Sequence, residues 1–179
     1  MKIAVYCSAN NDIDPDFFKE TQELGHWIAR NGYDLVFGGT NTGLMDCIGK
    51  AVKEAGGRTI GVVPQIIEKG GRTFGDLDVD IPCDNLSDRK ELMTAQSDVA
   101  IALPGGIGTL DEVFSTASSA TIGYHNERVI MYNMKGFWNS LRSLMDDLQA
   151  RNMIRGDYKQ HIEFADSLDD IAGIIGGMI

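Results

Sequence analysis

The segment LPGGIGTLDE, residues 103–112, combines residue types that suit the binding of an anion. Three of them, Gly105, Gly106 and Gly108, lack the Cβ atom that would keep an oxyanion away from the backbone. The loop follows an apolar run and leads into a helical pattern that begins near Thr109, whose hydroxyl adds a donor. A helix N-terminus offers unpaired amides and the positive end of the dipole. The segment predicts a phosphate site, and the alternative is a tight turn without a ligand.

A second glycine loop, GGTNTG at residues 38–43, precedes another helical pattern. Its spacing is that of a P-loop, but Leu44 and Met45 stand where a P-loop has lysine and serine or threonine, which excludes an ATPase loop. The segment around Gly106 lacks the third glycine of the dinucleotide fingerprint, so NAD binding has little support. Two glycine loops that both lead from a strand into a helix favour a phosphate site over two unrelated turns.

Glu112 is the carboxylate that the sequence places nearest to the first glycine loop. It follows Thr109 by three residues, which is the spacing of a capping box, so it could stabilise the helix without any chemistry. As a catalytic group, its carboxylate would lie one turn above the loop and close to the bound anion. Asp111 is expected to point elsewhere, as a solvated charge near the helix N-terminus.

Two cations, Arg89 and Lys90, fall in the first turn of a further predicted helix. Cations in that position oppose the helix dipole, and such a local cost is frequent at functional sites. Arginine offers a planar fork for phosphate or ribose oxygens, and lysine offers a point charge. The alternative is a helix capped by Ser87 or Asp88 whose two cations are merely solvated.

Short β-rich segments alternate with helical patterns along the whole chain. Each glycine loop is therefore expected to follow a strand and to lead into a helix. Strands are predicted at residues 2–7, 34–39, 58–64, 78–82, 99–104, 128–132 and 162–164. Helices are predicted at 15–31, at 87–96, from about Thr109 and near the C-terminus. Two further helices are predicted from their inward faces, one formed by Leu44, Ile48, Ala51, Val52 and Ala55 and the other by Phe137, Leu141, Leu144, Met145 and Leu148.

This alternation predicts a Rossmann-like, three-layer α/β fold, with helices on both faces of a mostly parallel sheet of six or seven strands. Its length of 179 residues fits a single domain, residues 1–179. Ligands of such sheets bind beyond the carboxyl ends of the strands, where the strand order reverses. The segments that follow strands are residues 7–11, 38–43, 64–75 and 104–109.

Composition narrows the classes of partner and the compartment. The formal net charge of −10 and the lack of a basic stripe argue against a nucleic-acid polymer as ligand. The three cysteines, Cys7, Cys47 and Cys83, are scattered, which argues against a disulfide framework and a zinc site. No apolar run is long enough to span a membrane and the start is not a signal peptide, so a cytoplasmic protein is expected.

The motifs GGTNTGLM, DRKELM and LPGGIGTLDEVF resemble those of the LOG family, the cytokinin riboside 5′-monophosphate phosphoribohydrolases. Members are often labelled lysine decarboxylases, and the similarity extends over most of the chain. The resemblance implies hydrolysis of the N-glycosidic bond of a nucleoside 5′-monophosphate, with no PLP, other cofactor or metal. It implies Arg89 and Glu112 as the catalytic pair. It implies a substrate and phosphate site formed by Ser8, Gly39, Gly43, Met45, Lys90, Gly105, Gly106, Gly108 and Thr109.

The resemblance also implies a homodimer with the site near the interface. The segment STASSATIG, residues 115–123, is rich in small residues and could let two helices pack closely, although it could equally belong to the monomer core.

The chain departs from the family pattern at several positions. Leu86 and Ser87 replace Met-His, Asp46 replaces a glycine, and Ala9 replaces a serine. An aromatic-Gln pair expected after the start of the Glu112 helix is absent. These departures concern recognition of the base, so AMP or another purine monophosphate fits as well as a cytokinin ribotide. The runner-up function is a non-catalytic nucleotide or molybdenum-cofactor carrier on the same fold.

Overall fold

Seven short strands form the centre of the protein, which is described here by a computed structural model for residues 1–178. The strands are β1 (Lys2–Tyr6), β2 (Asp34–Phe37), β3 (Thr59–Pro64), β4 (Val79–Cys83), β5 (Val99–Ala102), β6 (Val129–Tyr132) and β7 (Ile162–Ala165). The side chains of β5 and β6 are buried on both faces, as expected of strands inside a parallel sheet that helices cover on each side.

Seven α-helices connect and cover these strands. They are α1 (Pro15–Arg30), α2 (Gly43–Glu54), α3 (Gln65–Lys69), α4 (Leu86–Ala95), α5 (Ile107–Thr121), α6 (Asn139–Ala150) and α7 (Leu168–Gly176). Two 3₁₀ turns, Met134–Gly136 and Tyr158–Gln160, precede α6 and β7. No helix of residues 1–178 is both long and apolar enough to span a bilayer.

The sheet has the strand order β4–β3–β2–β1–β5–β6–β7, and every neighbouring pair is parallel. The chain builds outward from β1 on one side and then returns to build outward from β5 on the other. The strand order therefore reverses between β1 and β5, and the loops that follow these two strands diverge there. That point is where a ligand site is expected in this type of sheet.

Alternating residues of β1 face two separate hydrophobic cores. Ile3 and Val5 pack with Leu24 of α1 and Ile48 of α2 on one face of the sheet. Ala4 and Tyr6 pack with side chains of α4, α5 and α6 on the other face, including Met93, Val113 and Met145. The Rossmann-like, three-layer fold predicted from the sequence is thereby confirmed, with seven strands and a fully parallel sheet.

Two helices near the site begin one or two residues before their predicted starts. Helix α4 begins at Leu86, and Asn85 caps it by accepting hydrogen bonds from the amides of Ser87 and Asp88, so neither of those residues is the cap. Arg89 consequently lies just after the first turn. Helix α5 begins at Ile107, two residues before the predicted start.

Some predicted inward positions are also wrong. Ala55 follows the end of α2 and is half-buried. Phe137 lies before α6 and is 43% exposed, and Leu144 is 50% exposed on α6, where Met145 is the buried residue. The short helix α3 was missed, since five residues give too little periodicity to detect.

Candidate functional site

A cavity of about 220 Å³ opens at the carboxyl ends of β1 and β5, where the strand order reverses. The loops after these strands, helix α4 and the start of α5 surround it. Its lining residues are Cys7, Ser8, Ala9, Met45, Leu86, Arg89, Lys90, Gly106, Gly108, Thr109, Asp111 and Glu112. The cavity thus brings together the two predicted catalytic residues and most of the predicted substrate-binding residues.

The N-terminus of α5 presents unpaired amides to this cavity. Gly106 is the N-cap residue, and its carbonyl accepts the first helical hydrogen bond, from the amide of Leu110. Within residues 1–178, the amides of Ile107, Gly108 and Thr109 have no hydrogen-bond acceptor. Unpaired amides at the positive end of a helix dipole form a binding site for an oxyanion.

Gly105 contributes to this loop by packing, since it is outside the lining of the cavity. A Cβ atom at Gly105 would lie 2.6 Å from the Cβ atom of Thr109, so any larger residue would displace the threonine. Thr109 is buried and lines the cavity. The glycine therefore lets the Thr109 side chain fold back over the loop beside the unpaired amides.

Glu112 is a buried carboxyl group in the second turn of α5, with only 7% of its surface exposed. Burial raises the pKa of Glu112 to about 7, because desolvation disfavours the charged form more than the nearby Arg89 and Lys90 favour it. The predicted capping box with Thr109 does not form, because the helix already starts at Ile107 with Gly106 as its cap. Helix capping therefore does not account for a carboxyl group at this buried position.

Arg89 brings an incompletely paired guanidinium group to the cavity. Its Nε donates to the carbonyl of Val62 at 3.2 Å. Its Nη2 is buried and, in the part of the chain that the structure describes, has no hydrogen-bond partner. The nitrogen fits there because Gly38 has no side chain: a Cβ atom at Gly38 would collide with it. A buried cationic donor without an acceptor lowers the stability of the fold, and a bound ligand that accepts its hydrogen bond removes this cost.

Lys90 and Asp111 form an ion pair on the wall of the cavity. The Lys90 ammonium contacts both carboxylate oxygens of Asp111, at 2.7 and 2.8 Å. The expectation that Asp111 points away into solvent is therefore wrong, although its side chain is 47% exposed. The pair joins α4 to α5.

The second glycine loop packs against the loop after β1, and its helix N-terminus is already occupied. The Gly43 amide donates to Asn11 Oδ1 at 2.8 Å, and the Leu44 amide donates to the carbonyl of Ser8 at 2.9 Å. Gly39 and Gly43 both have positive φ values and lie outside the lining of the cavity. The two glycines allow the backbone of the loop to take these positive φ values. Their contact with phosphate stays a prediction.

Met45, by contrast, reaches the cavity from the first turn of α2 and is buried. The unusual carboxylate beside it, Asp46, pairs with Lys50 at 2.6 Å and is outside the lining. Asp46 therefore places no unpaired charge beside the unpaired amides of α5.

Sequence reasoning did not single out Cys7, Ala9, Leu86 and Asp111 as lining residues. The first two lie in the segment that follows β1, so the rule about strand ends pointed to them. Leu86 gave no signal beyond its departure from the family pattern. Among residues 1–178, no group of three or more His, Cys, Asp or Glu side chains is arranged to hold a metal ion.

Comparison with known protein families identifies relatives of the chain. The family model described as "Possible lysine decarboxylase" matches residues 45–175, more than half of the sequence. The chain is 30% identical over 168 residues to the cytokinin riboside 5′-monophosphate phosphoribohydrolase of Mycobacterium tuberculosis, with 94% of this chain and 89% of that protein covered. It is 33% identical over 148 residues to a protein of the same name from Arabidopsis thaliana, with 81% and 67% covered.

Solved structures with a similar fold include carriers. Two structures of the molybdenum cofactor carrier protein of Chlamydomonas reinhardtii superpose with TM-scores of 0.75 and 0.73 at 24% and 25% identity, covering 99% of this chain and 97% and 96% of those chains. The molybdenum cofactor binding protein of Rippkaea orientalis has a TM-score of 0.72 at 22% identity, covering 99% of this chain and 96% of that chain. The fold alone therefore does not distinguish a phosphoribohydrolase from a cofactor carrier.

Proposed function

Since this chain belongs to the LOG family, whose members include the cytokinin riboside 5′-monophosphate phosphoribohydrolases, we propose that it hydrolyses the N-glycosidic bond of a nucleoside 5′-monophosphate. Water adds to C1′ of the ribose, the bond from C1′ to the base nitrogen breaks, and its electron pair leaves with the base, which takes up the proton that the water loses. The products are the free base and ribose 5-phosphate. A purine monophosphate such as AMP, or a cytokinin ribotide, is the proposed substrate.

One observation carries this proposal: a buried carboxyl group and an arginine side chain line the same cavity as the start of α5, whose first amides have no acceptor within residues 1–178. The carboxyl group is Glu112, and the arginine is Arg89, whose buried Nη2 has no hydrogen-bond partner among residues 1–178. The amides and the guanidinium suit the phosphate and ribose oxygens, because all of them are donors to negative charge. Glu112 suits the reacting sugar.

The chemistry of glycosidic cleavage explains the need for a carboxylate. The transition state resembles an oxocarbenium ion, so positive charge develops on the ribosyl ring. An ionised Glu112 beside the ring stabilises this charge and can orient the attacking water or a ribose hydroxyl. Because the site is buried, the interaction acts through a low local dielectric and is stronger than it would be in water.

The first prediction concerns the phosphate. AMP is expected to be cleaved at least about a hundredfold faster than adenosine, measured as kcat/KM by the release of adenine. Adenosine forgoes the charge-assisted hydrogen bonds from Arg89 and the α5 amides, each of which contributes about 1.5–3 kcal/mol. Equal cleavage of the two compounds would contradict the proposed use of these donors.

The second candidate function is a non-catalytic carrier of a nucleotide or of the molybdenum cofactor. The likeness to the carrier of Chlamydomonas reinhardtii supports it, as do the departures from the family pattern at Leu86 and Ser87. The assay with AMP separates the candidates: an enzyme releases adenine over many turnovers, whereas a carrier binds without product formation. The presence of both Arg89 and Glu112 in the lining of one cavity favours the enzyme.

We also propose that the chain forms a homodimer through the exposed face of α5 and the turn after it. Phe114, Ile122 and Tyr124 are 39%, 68% and 79% exposed there, beside the small residues of the segment 115–123. Apolar groups exposed together favour a protein partner, because association removes their surface from water.

Replacing Ile122 by lysine is expected to convert the dimer to a monomer, measured as the mass in solution by light scattering. The matched control is Ile66→Lys on α3, where the parent side chain is 75% exposed and should leave the mass unchanged. A monomeric parent protein would contradict the proposed dimer.

We propose that the protein acts in the cytoplasm. Its three cysteines form no disulfide, which agrees with a reducing compartment.

A further inference from the structure

The ion pair between Lys90 and Asp111 has a geometry that leaves Lys90 little freedom to serve as a phosphate ligand. Its ammonium already contacts both oxygens of the carboxylate, at 2.7 and 2.8 Å, and only 21% of the lysine side chain is exposed. A phosphate on Lys90 would therefore have to compete with a carboxylate that is held in place. Arg89 Nη2 and the α5 amides are donors that need no such exchange.

We propose that Lys90 is a positioning residue, which neutralises Asp111 and ties α4 to α5 so that Arg89 and Glu112 face one cavity. This inference rests on the proposed function for its effect on turnover. It assigns Lys90 a partner within the protein, where the resemblance implied a contact with substrate. Asp111 then takes part in the site through Lys90 alone.

The charges around Glu112 explain why the pairing matters. Arg89 and Lys90 face it from α4, and Asp111 faces it from α5 itself. Tyr6 at the end of β1 and Cys7 directly after it also face Glu112, and both groups are neutral because burial raises their pKa values. After burial, the pKa of Glu112 is lowered by Arg89, raised by Asp111 and lowered by Lys90. Without Lys90, the charge of Asp111 is unopposed: it disfavours ionised Glu112 and repels an incoming phosphate.

The test is a double-mutant cycle with Lys90→Met, Asp111→Asn and the combined variant, assayed on AMP at pH 7. Lys90→Met alone is expected to lower kcat/KM about fivefold or more at this pH, since a rise of one unit from a pKa of about 7 lowers the ionised fraction of Glu112 from about one half to about one tenth. The combined variant is expected to recover to within about threefold of the parent. Lys90→Arg keeps the pair and should retain nearly full activity.

A direct phosphate contact by Lys90 gives the opposite pattern. The combined variant would then be no better than Lys90→Met, because removing Asp111 cannot restore a lost phosphate ligand. Asp111→Asn alone would lower KM for AMP, because it would release the ammonium for the phosphate. Either result would overturn the positioning role.

A second measurement does not depend on catalysis. The titration of Glu112 is followed by NMR of its carboxyl carbon in the substrate-free protein, where Lys90→Met should shift the midpoint to higher pH and the combined variant should return it. Lys50→Met is the matched control, since it breaks an ion pair of 2.6 Å with Asp46 outside the cavity lining and should move nothing. An unmoved midpoint in Lys90→Met refutes the inference, whereas a protein that shows these shifts but cleaves no monophosphate refutes only the proposed function.

Discussion

Replacing Glu112 by glutamine is expected to reduce turnover of AMP about a hundredfold or more without lowering the melting temperature. Glutamine keeps the size of the side chain but cannot carry the negative charge that stabilises a positive ribosyl ring. The loss of one such electrostatic stabiliser typically lowers kcat by about 10²–10³. The fold should be unaffected, because Glu112 takes no part in a capping box and the neutral amide has no charge to desolvate. Turnover is measured by adenine release and stability by thermal unfolding.

Glu127 provides a matched control for this substitution. It is likewise buried, at 5% exposure, and burial raises its pKa to about 7 as well. It lies before β6, at the amino ends of the strands, where its carboxylate accepts a hydrogen bond from Ser97 at 2.7 Å. Glu127→Gln should therefore retain activity. A similar loss of turnover in both variants would point to a general effect of buried carboxyl groups and would contradict the catalytic role of Glu112.

The raised pKa of Glu112 also sets the pH dependence. The ionised form is the active one, so kcat/KM of the parent should rise with pH through about 7, and the residual activity of Glu112→Gln should lack that rise.

The contribution of Glu112 to the stability of the folded protein changes with pH in the opposite direction, because it falls as the pH rises. A carboxyl group whose pKa is raised by folding contributes stability that is present below about 4.5 and lost as the pH rises through about 7. Glu127→Gln should therefore unfold at a higher temperature than the parent above pH 7.

The features that the sequence predicted well are those determined locally. The alternation of strands and helices determines the fold class, and the glycines of residues 105–108 predict an open helix N-terminus wherever the helix begins. Arg89 and Glu112 were identified by motif. Their meeting at one cavity follows from the reversal of strand order between β1 and β5, which strand–helix alternation alone does not specify.

The features that were missed depend on contacts between distant segments. The amides of Gly43 and Leu44 are occupied by Asn11 and the Ser8 carbonyl, more than thirty residues away in sequence, which no pattern around Gly43 indicates. In the sequence, Asp111 has the features of a solvated charge near a helix N-terminus. Its ion pair with Lys90 forms only because the fold packs α4 beside α5. The capping box failed for a local reason, since the backbone at Gly106 starts the helix early enough to move Glu112 out of the first turn.

Replacing Arg89 by alanine is expected to lower kcat/KM for AMP about a thousandfold, with KM raised and kcat lowered. Its unpaired Nη2 is proposed to hold the substrate before and during the reaction, so both parameters depend on it. Two charge-assisted hydrogen bonds at about 1.5–3 kcal/mol each account for an effect of this order. Arg89→Lys keeps the charge but not the planar fork, and should recover only part of the activity.

The same substitution should also reduce the preference for phosphorylated substrate, and this is its most specific consequence. In Arg89→Ala the ratio of kcat/KM for AMP to that for adenosine should fall at least about tenfold, and inhibition by ribose 5-phosphate should weaken, if the lost donor binds the phosphate. Arg128→Ala is the matched control: its guanidinium pairs with Glu163 at 2.9 Å, outside the cavity lining, and its loss should change neither quantity. The Val62 carbonyl loses its donor, so a decrease in unfolding free energy of about 1 kcal/mol is expected as well. If AMP and adenosine lose activity by the same factor, Arg89 acts on the ribose or the base, and the α5 amides alone hold the phosphate.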